Sequence, residues 1–514
     1  MTVDVYLPHR WRSWTGALAL AAGVVSPTCQ AQAWHVESAV DTTFTANRNS
    51  GVAGATVNEG IGELTPSMRL TGKGSRFNLT AEASVEGIYY ARSTQPNRAL
   101  PRGELALNLI PLERWATIDS SVSIVQGVSN PYTLQGTSTI VNEYISTRRY
   151  RLNPAIDHDF TPSVSLHARS DHLWTKRSGD AISLSANRDS YVEHDSARLE
   201  ARPQPLGGWV ELSRDRTTYA IAAVSALDLD AIRSALTYAP NPELQLGLSV
   251  GKERSQIGID RANDSIYGVN LDWKPTERSQ AQMTVEHRFF GVGGSAELTH
   301  RSPFGAIVVR MRREPASQPN SLLLAPPNGN VVALLDSIYT TRVPDPAERA
   351  ALVRNIIATF GLTPTISGPV EVFSNYVQLQ DTASIYATLT GRLTTTSFGV
   401  FALKSSELVR RGASSSLLSS DRSADNFQAG VSLNMSRRIT TSTSASLNLQ
   451  VSRIRGLGVG SVDRSTEKVA SLSFNHVVSP KTSVVGGLRW RALTSSLVVP
   501  TKEASVFVGG HHSF

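Results

Sequence analysis

Asp157-His158-Asp159 and His511-His512 are the places where this chain sets histidine beside groups suited to metal binding or nucleophile activation. Either chemistry needs its side chains to converge on one point. Both stretches alternate polar and apolar residues, and neighbours along a strand point to opposite faces. His158 therefore cannot meet both aspartates, nor His511 meet His512, and a solvated turn is expected at Asp157. No Gly-x-Ser-x-Gly elbow, phosphate-binding glycine loop or His-Glu-x-x-His helix occurs after residue 33. The sequence thus assigns no catalytic residue, no metal ligand and no cofactor, and the chain reads as a non-enzyme.

Arginine is more informative. Arg310 and Arg312 share a face opposite Ile307, Val309 and Met311, and Arg489 and Arg491 share one opposite Leu488 and Trp490. In a wall with lipid on one side and water on the other, those four cations face the water. Two readings follow: ladders of arginine and acid that brace the wall, or an electropositive lining that favours anions, acidic sugars included.

The elements that position these residues are long alternating strands. From 76 to 89, Phe77, Leu79, Ala81, Ala83 and Val85 alternate with Arg76, Asn78, Thr80, Glu82 and Ser84. The pattern recurs at 243–250, 267–274, 281–289, 427–435 and 444–451. Hydrocarbon on one side with charge on the other excludes a strand buried on both faces. A soluble sandwich also alternates, but its strands run about five or six residues, and no linker divides this chain into several cores. No window after residue 33 approaches the roughly 18 apolar residues of a helical span, so the crossing must be a closed barrel.

The expectation is all-β: a single large transmembrane antiparallel β-barrel of 18–22 strands. Ten short turns, from Gly72–Ser75 to Ser479–Lys481, would lie at the periplasmic rim. With both termini on that side, ten such turns imply 22 strands, although 176–202 and 223–240 read as irregular.

Arg10 and Arg12, an apolar stretch from Thr15 to Val25 and Ala31-Gln32-Ala33 follow the order of a cleavable export signal, which places the mature start at Trp34. A lipid anchor at Cys29 fits less well, because Ser26-Pro27-Thr28 precedes it. Cys29 is the only cysteine, so a mature chain from Trp34 has no thiol chemistry. The formal charge of +7 falls by one when Asp4, Arg10 and Arg12 leave. This mild basicity names no partner and gives no indication of nucleic acid. At the other end, Phe514 is a terminal aromatic of the kind that barrel-assembly machinery recognises, although His512 stands where an apolar residue is usual.

One region breaks the alternation. About 328–362, Val331, Leu334, Leu335 and Ile338 recur at helical spacing, and a second helix should follow Asp345 as N-cap, with Pro346 at its first position. Leu352, Ile356 and Phe360 would form its apolar face, and Gly361 would end it. Such a pair needs an apolar partner: the barrel rim, the lumen or another protein.

The insert also carries a resemblance. Val332–Leu362, VALLDSIYTTRVPDPAERAALVRNIIATFGL, resembles a segment of outer-membrane barrels associated with the PEP-CTERM/exosortase system and exopolysaccharide synthesis. TTFTANRN at 42–49 and the run 64–90 are similar to that family's opening hairpins. The resemblance implies residence in the cell outer membrane among its lipids and a role as conduit or docking component. The implied partners are an anionic exopolysaccharide and periplasmic export proteins. It brings no site residues. A general porin or solute channel, a structural or adhesive surface barrel and a rim-sited hydrolase are the alternatives.

Overall fold

In the computed structural model the described residues are 33–52, 55–128, 144–179, 189–219, 227–258, 260–316, 330–360, 362, 377–408, 425–458, 461–497 and 499–514. All of the proposed signal except Ala33 lies outside them, as does Gly361.

The alternating segments become strands β1 (Ala33–Val52), β2 (Ala55–Lys73), β3 (Phe77–Tyr90), β4 (Arg98–Leu112), β5 (Ala116–Val128), β6 (Tyr144–Thr161), β7 (Val164–Ser178) and β8 (Asp189–Ala201). They continue as β9 (Leu206–Tyr219), β10 (Leu227–Asn241), β11 (Leu244–Ile257), β12 (Asp260–Thr276), β13 (Ser279–Arg288), β14 (Gly291–Ser302) and β15 (Gly305–Ala316). The last seven are β16 (Gln378–Thr390), β17 (Thr394–Glu407), β18 (Asn426–Arg438), β19 (Thr443–Gly456), β20 (Arg464–Ser479), β21 (Thr482–Ser495) and β22 (Thr501–Ser513).

Each strand pairs antiparallel with the next, and β22 returns to β1, with Ala39 opposite Ser513 and Ser50 opposite Lys502. The 22 strands close one barrel, the number implied by the ten short turns. The parts of 176–202 and 223–240 that looked irregular contain β8 and β10 in regular register. Closure pairs the strand edges, which lipid could not solvate.

The outside of the wall is hydrocarbon. Phe44, Leu236 and Leu248 are 65%, 63% and 65% exposed, which in this setting means contact with acyl chains. At the end with the short turns, Trp34, Trp115, Phe160, Trp273 and Phe304 form an exposed aromatic belt. Gly72 is glycine because the ring of Trp34 covers it, and an added Cβ would sit 2.5 Å from that ring. Strands of 10 to 20 residues tilted by about 45° suffice for a hydrocarbon core of about 30 Å. The protein is a barrel of the cell outer membrane.

Two helices interrupt the strands: α1 (Asn330–Tyr339) and α2 (Pro346–Phe360). Asp345 caps α2 as expected, accepting the Glu348 N–H at 2.8 Å. Arg349 ties the helices together, donating to Asp336 Oδ1 at 2.8 Å and to the carbonyls of Val343 and Pro344 at 2.9 and 3.0 Å. In α1 the expected face is buried: Val331, Leu334, Leu335 and Ile338 are 1%, 3%, 0% and 4% exposed. The face of α2 is turned from the expected one. Val353, fully buried, sits at its centre with Ile356, Ile357 and Phe360, and Leu352 lies beside the cluster rather than in it. The buried partner of α1 lies toward Val353, one position further round the helix.

The two helices fold into the lumen. They belong to the β15–β16 connection, which leaves the extracellular ends of those strands. Nevertheless, their apolar faces pack on Ala306, Val308 and Tyr386, next to the periplasmic turn at Ser302–Gly305. Ser436 on β18 donates its hydroxyl to the Phe360 carbonyl, and the Arg438 guanidinium lies 5.9 Å from the Phe360 ring centre. Of the three partners open to the insert, the barrel interior is the one it uses.

Candidate functional site

The lumen is where this chain gathers its polar side chains, and the antiparallel register shows which residues line it. Arg310 lies opposite Glu297 and Arg312 opposite Ser295, while Met311 lies opposite Ala296 on the lipid side. Likewise Arg489 and Arg491 lie opposite Ser505 and Glu503, away from Leu488 and Trp490. All four sequence-selected arginines face the lumen.

Three of the four are tied to acids. Arg310 Nε donates to Glu297 at 2.9 Å, Arg312 contacts Glu314 at 3.1 Å, and Arg491 contacts Glu467 at 2.9 Å with both side chains 9% exposed. Arg489 instead lies over the Phe507 ring, 5.4 Å from its centre. The same bracing runs along the wall in the bidentate Arg151–Asp171 pair and in Arg233, which touches both Glu211 and Glu286. Among the described residues, luminal positions carry more carboxylates than cations. The arrangement has the form of paired ladders rather than of an electropositive lining.

A second sector of the lumen is different in kind. On β16 to β19 the inward residues run from Gln378 to Thr388, Thr395 to Ser405, Asn426 to Ser436 and Ser444 to Ile454, and none is charged. They are hydroxyls and amides with a few apolar residues, and many are buried: Thr388, Thr395, Ser397 and Ser436 are all 0% exposed. α2 lies against β18 and β19 of this sector, and α1 bridges from its β16 to β15. Adjoining it, a cavity of about 660 Å³ follows the wall from β8 to β16, lined by Arg198, Gln245, Asn270, Glu297, Arg310 and Gln380 among others.

The extracellular end of the lumen is narrowed by a turn. Phe289 and Phe290, between β13 and β14, fold inward onto Leu227, Leu229, Val377 and Leu408. Buried Glu253 holds this turn, accepting the Phe289 N–H at 2.7 Å and the Arg288 guanidinium at 2.8 and 3.0 Å. Gly291 and Gly294 take φ of +105° and +144°, which the tight return into β14 requires and a side chain would resist.

Strand geometry separates the members of each histidine cluster, although Asp157–Asp159 lies within β6 rather than in the solvated turn expected there. His158 stacks on Trp115 at 3.5 Å on the lipid side, while Asp157 pairs with His167 at 2.6 Å and Asp159 with Arg202 at 3.0 Å. His511 contacts Asp41 at 2.8 Å and His512 contacts Thr482 at 2.9 Å on the opposite face. Among the described residues no group of three or more His, Cys, Asp or Glu is placed to hold a metal. Phe514 is 68% exposed at the periplasmic end of the β1–β22 seam, with its N–H on the Ser38 carbonyl at 2.9 Å.

No protein-family model and no curated protein sequence matches the chain. Solved structures with some likeness are barrels. The FrpB iron transporter of Neisseria meningitidis (F5-1 variant) aligns over 94% of this chain and 83% of its own, at 8% identity and a TM-score of 0.48. The siderophore receptor PirA of Pseudomonas aeruginosa aligns over 93% and 80%, at 10% identity and a TM-score of 0.41. OccK2 (OpdF) of the same organism aligns over 93% and 98%, at 9% identity and a TM-score of 0.34. The assignment of the fold rests on the strand order and closure described above.

Proposed function

We infer that the barrel is a non-enzymatic solute channel of the outer membrane, narrowed from within by its own helical hairpin. The observation that carries this reading is the position of α1 and α2 inside the lumen, packed on Ala306, Val308 and Tyr386. A barrel with a purely structural or adhesive role has no need to fill its interior from an extracellular connection. A polar cavity of about 660 Å³ beside the hairpin leaves a hydrated route for small solutes.

The test is removal of the hairpin. Ala316 and Gln378 are paired neighbours at the ends of β15 and β16, so a short turn can replace everything between them. Every ladder that closes the barrel remains. In planar bilayers the shortened protein should insert and conduct several times more current per channel than the full chain. Equal conductance of the two, or none from either, would overturn the reading.

A second reading is a conduit or docking component for exopolysaccharide. It is favoured by the resemblance of Val332–Leu362 to exosortase-associated barrels and by the uncharged hydroxyl and amide sector, whose groups suit polymer hydroxyls. In a strain lacking the protein, polymer held in the periplasm with synthesis intact would support it. Normal surface polymer with slowed uptake of small solutes would return the function to the channel.

A further inference from the structure

The outer surface carries a feature that the lumen does not explain. Ascending the lipid face of β11, Leu246, Leu248 and Val250 are followed at the next outward positions by Lys252 and Arg254. On β9 Leu212 is followed by Arg214, on β1 Phe44 and Ala46 by Arg48, and on β19 Val451 by Arg453. The descending strands mirror this: Lys468 precedes Ala470 and Leu472 on β20, and Lys502 precedes Ala504 and Val506 on β22. Exposed cations thus ring the extracellular border of the apolar band, whereas the periplasmic border carries the aromatic belt.

An ion-pair brace needs its acid at the facing position, and several of these cations have none there: Arg48 lies between Asn58 and Ala504, Arg453 between Ala429 and Thr466, and Lys468 between Val451 and Ala492. On β11 Lys252 lies between Ile232 and Ser265, to whose hydroxyl it donates at 2.8 Å, while Arg254 lies between Asn263 and Asp230. Arg214 stands in register between Asp195 and Asp230 and contacts Asp228 and Asp230 at 3.7 and 3.6 Å, which leaves Lys252 as the cation here with no acid facing it. A surface groove of about 910 Å³ opens here, lined by Arg214, Lys252, Arg254 and Asn263 together with Asp195 and Asp230. Its floor is continuous with the acyl-facing residues Leu212 and Ile232.

We propose that the groove on β9 to β12 binds the phosphate groups of an acylated, phosphorylated glycolipid of the outer leaflet, with the remaining border cations holding a shell of the same lipid. The occupant is set by three requirements at once. It must place acyl chains on Leu212 and Ile232, a multiply charged anion on Lys252 and Arg254, and sugar hydroxyls near Asn263, Asp195 and Asp230. A soluble polyanion meets only the second, and a zwitterionic phospholipid brings its own cation to the site. Lipid-face cations gather at that border, although Arg437 stands at the other, and this concentration matches an anionic leaflet on one side.

The test uses the full mature chain, folded and reconstituted in phosphatidylcholine vesicles doped with a bis-phosphorylated acyl-glucosamine disaccharide or with its dephosphorylated form. After mild detergent extraction, lipid retained on the protein is measured by mass spectrometry. The phosphorylated form should be retained over the dephosphorylated one, less so at high salt. Replacing Lys252→Gln and Arg254→Gln should reduce retention by roughly fivefold for each cation removed. Equal retention of the two forms by the unaltered protein overturns the proposal, and that comparison stands even if the variant fails to fold. Unchanged retention by a folded variant also overturns it. So does tight binding of soluble polygalacturonate without glycolipid enrichment, which would assign the border to a surface polymer.

Discussion

Two sectors of the same lumen follow opposite rules. From β3 to β15 the inward face is dense in arginine and carboxylate, paired across strands as in Arg151–Asp171 and Arg310–Glu297. From β16 to β19 the inward face carries charge only near the strand ends, at Glu407 and Arg438 among the described residues, and α2 rests there on β18 and β19 while α1 bridges β16 and β15. The difference is one of desolvation. A charge facing a hydrated cavity keeps water or a partner, whereas one covered by a helix would lose its water and cost several kcal/mol unless paired. Beneath the helices the wall positions Ala306, Val308, Tyr386 and Ser436 are uncharged, with the Arg438 guanidinium at the edge over Phe360, and charge is dense where water remains. The uncharged positions from Ala306 on β15 round to β19 are therefore in part the imprint of the insert, and the charged positions beyond Val308 mark the open side.

The largest effect should come from violating that rule. Thr388 is fully buried on the neutral wall opposite Ala306, which belongs to the cluster under α1. Thr388→Asp places an unpaired carboxylate there and should weaken the seat of the hairpin by about 3–5 kcal/mol. Protease cleavage within 330–360 should then appear, with conductance rising toward that of the hairpin-deleted protein. Ser295→Asp makes the same change on the charged wall opposite Arg312 and should do neither. If both variants behave alike, the distinction between the walls fails.

The boundary between the sectors offers the next test. Arg491 and Glu467, each 9% exposed, are the pair with which charge resumes beyond β19. Glu467→Gln removes one of the acids beside the buried Arg491, which also faces Glu503, and should lower stability by about 1–3 kcal/mol, read from the midpoint of urea unfolding in detergent. Replacing both residues with leucine should recover most of the loss. Failure to recover would show that the pair does more than neutralise itself.

How much of this was legible follows from what each signal depends on. Strand number came through because turns such as Pro240–Glu243 and Ser302–Gly305 are local chemistry, and ten of them determine 22 strands. Inward and outward faces followed from period two, so the orientation of Arg310 and Arg489 was readable. Their partners were not, because Glu297 and Glu467 come from neighbouring strands whose register no local pattern states. The helices and the Asp345 cap were visible, but not their descent into the lumen, which depends on contacts with Ala306, Tyr386 and Ser436 on three different strands. The sector was available as a run of strands in which Ser, Thr, Asn and Gln predominate between the apolar positions, with Tyr386, Phe401 and Leu403 among them. The border cations were readable too: Lys252 and Arg254 share parity with Leu248 and Val250, a break in an apolar face that marks the edge of the membrane.

Within the insert, a smaller change separates helix formation from seating. Asp345→Ala removes the acceptor for the Glu348 N–H and should cost about 1 kcal/mol at the start of α2. Hydrogen exchange should quicken in the first turn of α2 while α1, held by Leu334 and Leu335, stays protected. Loss of protection in both helices would show that they fold as one unit and that the cap supports the whole plug.

The smallest stability effect, and the one that most sharpens the contrast, belongs to the open wall. Arg310 and Glu297 are 33% and 45% exposed, so water screens their attraction and Arg310→Gln should change stability by only about 0–1 kcal/mol. Ion selectivity is another matter, because both groups line the cavity through which ions would pass. Removing a cation from a wall already rich in carboxylates should shift the reversal potential in a salt gradient toward cation preference, and Glu297→Gln should shift it the opposite way. Opposite shifts at nearly constant stability would make the pair part of the conduction path. A stability loss of several kcal/mol without a shift would make it a brace alone, and the open wall would then differ from the covered one in hydration but not in function.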